Sequence, residues 1–100
     1  MTDNRTAVTV PAELRAALAA LTSEACDGEL SAAELLAAAG TPFVLLGVGS
    51  LAQLRLLDAV ESAYGVLFDL TGPVGFPAGL DALAENLAIE HGVTRPVDAG

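Results

Sequence analysis

The segment 43–57 constrains the fold more than any other part of the chain. An apolar run, 43–46, is followed by glycines at 47 and 49, by Ser50, and then by apolar residues at helical spacing. Glycine has no Cβ, so its backbone tolerates positive φ and lets another group come close. The pattern predicts a loop that leads directly into an amphipathic helix.

Ser50 is predicted to begin this helix. Ser50 and Gln53 fit a capping box, Ser-x-x-Gln, in which each side chain satisfies a backbone N–H of the first turn. A phosphate attached at such a position would lie near free N–H groups and the positive end of the helix dipole.

A helical projection from Leu51 to about Tyr64, at about 100° per residue, separates two faces. The predicted buried face consists of Leu56, Leu57, Val60 and Tyr64. The opposite face consists of Leu51, Arg55, Asp58 and Ser62. Leu54 lies at the edge between the faces, and Arg55 is expected to pair with Asp58 at i, i+3. Leu51, an apolar residue on the solvent face beside Ser50, is expected to contact a partner.

Two more helical stripes flank this segment. The first helix is predicted to start near Pro11 and to end before Asp27, and the stripe that faces the core is predicted to be Leu14, Ala17, Leu18 and Leu21. The last is predicted to bury Leu80, Leu83, Ala84 and Leu87. Between the first two main helices, Ser31 and Glu34 form a second predicted capping box.

The short helix that follows Ser31 is expected to end at Gly40 as its C′ residue. Phe43 is predicted to fill the core from a loop, and Gly65 is predicted to end the helix that begins at Ser50. Residues 66–79, rich in glycine and proline, are predicted to contain a turn or two of helix and to close the bundle against Leu54. The expected fold is an all-α bundle of three main helices and one or two short ones.

Charge restricts the partners. Thirteen acidic residues and four arginines give a net charge of −9, which disfavours nucleic acid and anionic membranes and favours partners with basic patches. The single cysteine, Cys26, permits no internal disulfide, and nearby Glu24, Asp27 and Glu29 disfavour a thiolate. Because the N-terminus is polar and no apolar run could cross a bilayer, a cytoplasmic location is expected.

The central segment resembles the acyl and peptidyl carrier proteins, which hold a 4′-phosphopantetheine arm on a serine. The family pattern is close to Phe-x-x-Leu-Gly-x-Asp/His-Ser-Leu, and the matching residues here are Phe43, Leu46, Gly47, Ser50 and Leu51. Leu54, Arg55 and Leu56 continue in the manner of peptidyl carriers. The resemblance extends more loosely over residues 10–91, and Gly49 stands where the family has Asp or His.

The resemblance implies a carrier-protein-like bundle at residues 9–91, between a disordered N-terminus at 1–8 and a flexible tail at 92–100. Ser50 would carry 4′-phosphopantetheine, whose thiol holds an acyl or aminoacyl thioester in a secondary-metabolite or fatty-acid-like pathway. The chain would catalyse nothing itself. No metal site is expected either, because one cysteine and one histidine cannot make the usual zinc ligand set. Partner recognition would involve Gly49, Leu51, Leu54 and Arg55.

The implied partners are a phosphopantetheinyl transferase, an adenylation or acyl-loading enzyme, and downstream condensing or tailoring enzymes. The implied state is a free-standing monomer.

Three alternatives compete with this interpretation. Residues 47–52 also fit G-x-G-x-x-A, and 66–69 could be a second strand of a dinucleotide-binding βαβ unit, although no third strand is found. A serine hydrolase would depend on the single histidine, His91, and Ser50 lacks the G-x-S-x-G elbow. The third alternative is an unmodified helical interaction module in which Ser50 is only a helix cap.

Overall fold

The computed structural model describes residues 11–68 and 76–93, which form four α-helices. They are α1 (Ala12–Ala25), α2 (Ala32–Ala37), α3 (Ser50–Tyr64) and α4 (Leu80–Glu90), with a 3-10 turn at Phe43–Leu46 between α2 and α3. Within these residues there is no strand, and the one β-type contact is an isolated bridge between Pro42 and Gly79. The predicted all-α bundle, with three main helices and one short one, is confirmed.

Helix α1 is the centre of the bundle, because α2, α3 and α4 each pack against it. Of the four core residues predicted for α1, Leu14 and Leu18 are fully buried, whereas Ala17 and Leu21 are half-buried. The large apolar side chains that the other segments bury fully are Leu35, Phe43, Val48, Leu56, Val60, Leu80, Leu83 and Leu87. Burying one such side chain contributes about 1.5–3 kcal/mol, so the bundle is held chiefly by aliphatic packing.

The first two helices begin and end close to the predicted positions. Pro11 is the N-cap of α1, and the helix stops at Ala25, ahead of Asp27. Ser31 caps α2 in the predicted box: the Glu34 N–H donates to the Ser31 hydroxyl over 3.1 Å, and the Ser31 N–H donates to the Glu34 carboxylate over 2.8 Å.

The end of α2 differs from the prediction. The helix stops at Ala37 with Ala38 as its C-cap, and Gly40 is not among the glycines that adopt positive φ. The prediction that Gly40 fills the C′ position is therefore wrong. By contrast, Gly65 ends α3 as predicted, and it does so in the left-handed conformation, with a φ of 67°.

The start of α4 is fastened to the segment that follows α2. The N–H of Phe43 donates to the Ala78 carbonyl over 2.6 Å, and the N–H of Asp81 donates to the Ala39 carbonyl over 2.9 Å. A Cβ on Gly79 would lie 2.9 Å from the Thr41 carbonyl oxygen, so only glycine permits this approach. These contacts fix the segment between α2 and α3, here called the strap (residues 38–49), against the start of α4.

The C-terminal end of the bundle includes two residues beyond the predicted boundary at 91. Gly92 adopts a φ of 69°, the Val93 N–H donates to the Leu87 carbonyl over 2.8 Å, and Val93 packs against the core. Residues 92 and 93 therefore still contact the bundle, and the domain boundary at residue 91 stays a prediction. The predicted disordered N-terminus and most of the predicted tail lie outside the described residues.

Half of the irregular segment 66–79 also lies outside the described residues. On its two sides, Phe68 and Phe76 meet edge to face with ring centroids 5.3 Å apart, and both pack against the core. His91 contacts Phe68 in the same geometry at 5.5 Å. The two phenylalanines thus pack on the bundle as predicted, but Leu54, against which the segment was expected to close, is 56% exposed and does not belong to the core.

Candidate functional site

The loop before α3 is anchored at both ends and turned by one glycine. Phe43 and Val48 are buried, and the Val48 N–H donates to the Phe43 carbonyl over 3.0 Å. Between them, Gly47 adopts a φ of 84°, and a Cβ there would meet no atom within 4 Å. The requirement for glycine at 47 is therefore conformational rather than steric. The prediction that Phe43 fills the core is confirmed.

Helix α3 begins one residue earlier than the capping-box prediction requires. Gly49 is the N-cap, with φ −76° and ψ 178°, and Ser50 is the first helical residue. No side-chain hydrogen bond caps this helix start. The Gln53 side chain instead donates to the Val48 carbonyl over 2.9 Å. The prediction that Ser50 and Gln53 form a capping box is wrong, since Gly49 occupies the position that it assigned to Ser50.

Ser50 is therefore exposed, and its hydroxyl takes no part in capping the helix. The first N–H groups of α3 have no partner within their own helix, and they carry the positive end of its dipole. A phosphate on Ser50 Oγ would be accommodated at this end without desolvation of a buried group. Gly49 has extended backbone, and a Cβ added there would meet no atom within 4 Å, so the position next to Ser50 faces open space.

The three other predicted recognition residues on α3 are exposed. Leu51 is 61% exposed and Leu54 is 56% exposed, so Leu54 lies further out than the predicted edge between the two faces. Arg55 does not pair with Asp58 as predicted, since its Nη1 donates to Asp27 Oδ2 over 3.1 Å. The expected exposure of Leu51 is confirmed; its contact with a partner stays a prediction.

A groove of about 360 Å³, here called the α1–α3 groove, lies between the α1–α2 loop and the start of α3. Its apolar lining residues are Ala25, Leu30, Leu46, Leu51 and Ala52. Its charged lining residues are Asp27, Glu29 and Arg55. Cys26, Gly47 and Gly49 complete it. The groove thus runs from the residue beside Ser50 to two carboxylates on the α1–α2 loop.

The chemistry of Cys26 in this groove is that of a neutral thiol. Burial raises the pKa of Cys26, and the neighbouring carboxylates of Glu29 and Asp27 raise it further. Two of the three acids that the sequence placed near Cys26 therefore act on it, and burial has the larger effect. A nucleophilic thiolate is disfavoured at this position, in agreement with the sequence prediction.

A second groove, of about 270 Å³, includes Ser50 in its lining and is called the Phe76 groove. Its lining residues are Ser50, Gln53, Leu54, Leu57 and Phe76. Leu57 was predicted to lie in the core, but it is only half-buried because it borders this groove. On the predicted buried face, Leu56 and Val60 are fully buried and Tyr64 is half-buried.

The exposure of two apolar residues near the site was not predicted from the sequence. Val44 and Leu45 are 71% and 74% exposed, although they belong to the apolar run that begins with buried Phe43. The flanking Pro42 and Gly47 are the signal that could have identified a tight turn, in which only some side chains face inward. Asp27 was also missed as a partner of Arg55, because the two residues are 28 positions apart.

The βαβ alternative is overturned within the described residues. Residues 43–46, which would have been its first strand, form a 3-10 turn, and Val66, Leu67 and Phe68 belong to no strand. The acid that would end the second strand, Asp69, lies outside the described residues. A dinucleotide-binding unit requires paired parallel strands on which to mount its glycine loop.

No family model, curated protein or solved structure gives a significant match to this chain. In residues 11–68 and 76–93, no group of three or more His, Cys, Asp or Glu side chains could hold a metal ion. Over the same ranges, no helix has both the length and the apolar character needed to cross a membrane.

Proposed function

We propose that this chain is a carrier protein whose Ser50 holds 4′-phosphopantetheine. The single observation that carries the proposal is the setting of Ser50: an exposed first residue of α3 whose hydroxyl takes no part in capping the helix. It lies within the motif formed by Phe43, Leu46 and Gly47, and Leu51 follows it. Together these features supply an accessible nucleophile and a helix end suited to a phosphate.

The modification is a phosphoryl transfer for which a transferase supplies the catalysis. Ser50 Oγ forms a phosphodiester with the pantetheine-side phosphorus of coenzyme A. The pyrophosphate bond breaks, adenosine 3′,5′-bisphosphate leaves, and the serine proton passes to a base on the transferase. The chain's own contribution is to present Ser50 at a fixed, exposed helix start, with the strap before it held by Phe43 and Val48.

The arm's terminal thiol would carry an acyl or aminoacyl group as a thioester. Tethering the intermediate to a small protein raises its effective concentration wherever the carrier docks. The docking partners would be the transferase, an adenylation or acyl-loading enzyme, and condensing or tailoring enzymes. With a net charge of −9, the chain favours partners that present basic surfaces. It would carry the cargo and perform no chemistry itself, and its expected location is the cytoplasm.

The test is intact-protein mass spectrometry after incubation with a phosphopantetheinyl transferase and coenzyme A. The expected result is a gain of one phosphopantetheinyl group in the wild-type chain and none in Ser50→Ala. Ser62→Ala is the matched control, because Ser62 is an exposed serine on the same helix. Failure of the wild type with several transferases of different specificity would favour the unmodified interaction module instead.

A further inference from the structure

We propose that the α1–α3 groove receives a lysine or arginine side chain from the protein that docks over Ser50. This deepens the proposed function, on which it rests for the identity of the docking protein. The groove is lined by Gly49 and Leu51, the two residues that flank Ser50 in sequence. A protein whose active site closes on the Ser50 hydroxyl therefore covers the near end of the groove.

The apolar part of the groove suits the stem of a long basic side chain. Lysine and arginine lay their methylene groups along apolar surface and keep the charged head in water. Leu30 and Leu46 are half-buried against the core, and Ala25 is buried, so these residues give the groove a fixed apolar wall. Leu51, 61% exposed, forms the lip nearest the attachment serine.

The charged end of the groove suits the head group. Asp27 and Glu29 contribute two carboxylates against the one guanidinium of Arg55. Arg55 already donates to Asp27, so Glu29 is the carboxylate that an incoming cation would neutralise. Because the pKa of Cys26 is raised, its thiol stays neutral and adds no further negative charge to the groove.

The position of the carboxylates is set by backbone structure rather than by a loose loop. The Asp27 N–H donates to the Glu24 carbonyl over 3.0 Å, and the Gly28 N–H donates to the Ser23 carbonyl over 2.9 Å. The Glu29 N–H in turn donates to the Cys26 carbonyl over 3.1 Å. These bonds continue the end of α1, so both acids are presented from the central helix of the bundle.

The primary experiment measures phosphopantetheinyl transfer from coenzyme A as a function of carrier concentration. Glu29→Gln keeps the side-chain shape and removes the charge, and we expect it to raise KM for the carrier about two- to fivefold with kcat unchanged. Glu29→Lys should raise KM on the order of tenfold, because it adds repulsion against the incoming cation. The wild-type KM should rise with salt more steeply than that of Glu29→Gln.

The matched control is Glu85→Gln, an exposed glutamate on α4 that does not line the groove. It removes the same charge from the same chain, so its KM should equal that of the wild type within about twofold. Equal KM values for Glu29→Gln and Glu85→Gln would overturn the inference while leaving the carrier assignment intact. An effect of Glu29→Gln on kcat alone would overturn it as well.

A second measurement needs no enzyme and no modification of Ser50. In a titration of the isotope-labelled chain with N-acetyl-arginine amide, the amide signals of Asp27, Glu29 and Leu51 should shift first, and Glu29→Gln should suppress those shifts. Shifts spread evenly over the acids of all four helices would count against the groove. This readout stands even if the chain accepts no phosphopantetheine, so failure of the groove and failure of the carrier assignment give different results.

Discussion

Gln53 Nε2 donates to the carbonyl oxygen of Val48 over 2.9 Å and ties the first turn of α3 to the loop before it. Val48 is itself buried, so this bond fixes the helix start to the core. The hydroxyl of Ser50 takes no part in capping the helix. The residue proposed to carry the arm is therefore separated, by three positions, from the residue that holds the helix in place.

Ser50→Ala should change the free energy of unfolding by no more than about 0.5 kcal/mol, as expected for an exposed position with no special contact. The capping-box prediction would instead have required a loss of about 0.5–2 kcal/mol. Urea unfolding of both chains measures the difference, and phosphopantetheinyl labelling should vanish in the same variant. Gln53→Ala is the informative comparison, because loss of its bond to Val48 should destabilise the chain by about 0.5–1.5 kcal/mol.

Gly49→Asp should increase the rate of phosphopantetheinyl transfer, because the carrier-protein pattern has an acid or histidine at this position. The substitution fits, since Gly49 has a φ of −76° and a Cβ there meets no atom within 4 Å. Aspartate is also a better N-cap than glycine, so the melting temperature should rise slightly. Transferase kinetics and thermal melts test both effects. A slower transfer with an unchanged fold would show that the glycine matches a dedicated transferase.

Leu51→Ala should leave stability nearly unchanged and weaken transfer to a partner enzyme, because Leu51 is 61% exposed beside Ser50. Leu56→Ala should do the reverse and lower the free energy of unfolding by about 2–5 kcal/mol, since Leu56 is fully buried on the same helix. Leu57 is not a suitable core control, because it is half-buried at the edge of the Phe76 groove. Thermal melts and a loading assay on the two variants separate docking from packing.

Gly79→Ala should destabilise the chain by about 1–3 kcal/mol through steric overlap. A Cβ there lies 2.9 Å from the Thr41 carbonyl oxygen, whereas the backbone φ of −153° is open to any residue. Gly40→Ala is the control, since its Cβ would be 3.9 Å from Asp81 Oδ2 and in ordinary contact. If the two alanine variants unfold at the same urea concentration, the strap does not approach α4 as closely as described.

Cys26 should react with iodoacetamide along a pH profile whose midpoint is higher in the folded chain than in urea. Burial and the carboxylates of Glu29 and Asp27 raise the pKa of the folded thiol, so the unfolded chain loses this proton at lower pH. Stability should therefore fall as the pH rises above the unfolded pKa. Glu29→Gln should lower the folded midpoint, and Glu24→Gln should leave it unchanged.

The helices were predictable because their signals are local. Apolar spacing located α1, α3 and α4, and the box of Ser31 and Glu34 located the start of α2. The start of α3 was missed by one residue because Gly49-Ser50 offers two adjacent residues that are both acceptable N-caps. In the structure the Gln53 amide donates to the carbonyl of Val48, and Val48 is buried in the core, a tertiary placement that the local pattern does not show.

In the candidate site, too, the features set by local sequence were predictable and those set by tertiary contacts were not. The exposure of Leu51 followed from a helical projection, which gives relative directions around one axis. The half-burial of Leu57 did not, because it depends on how closely Phe76 approaches from another segment. The pairing of Arg55 with Asp27 likewise joins residues 28 positions apart, whereas the sequence offered only the nearby Asp58.

The central place of α1 has a consequence for how such a chain can diversify. Because α2, α3 and α4 each pack on α1, the contacts that hold the bundle converge on one helix. The side of α3 that faces away from α1, with Leu51 and Leu54, is exposed. Leu51 and Leu54 could thus be exchanged for other side chains with little repacking. New partner specificities would then be open to selection, or to a designer, by small changes on a scaffold that stays the same.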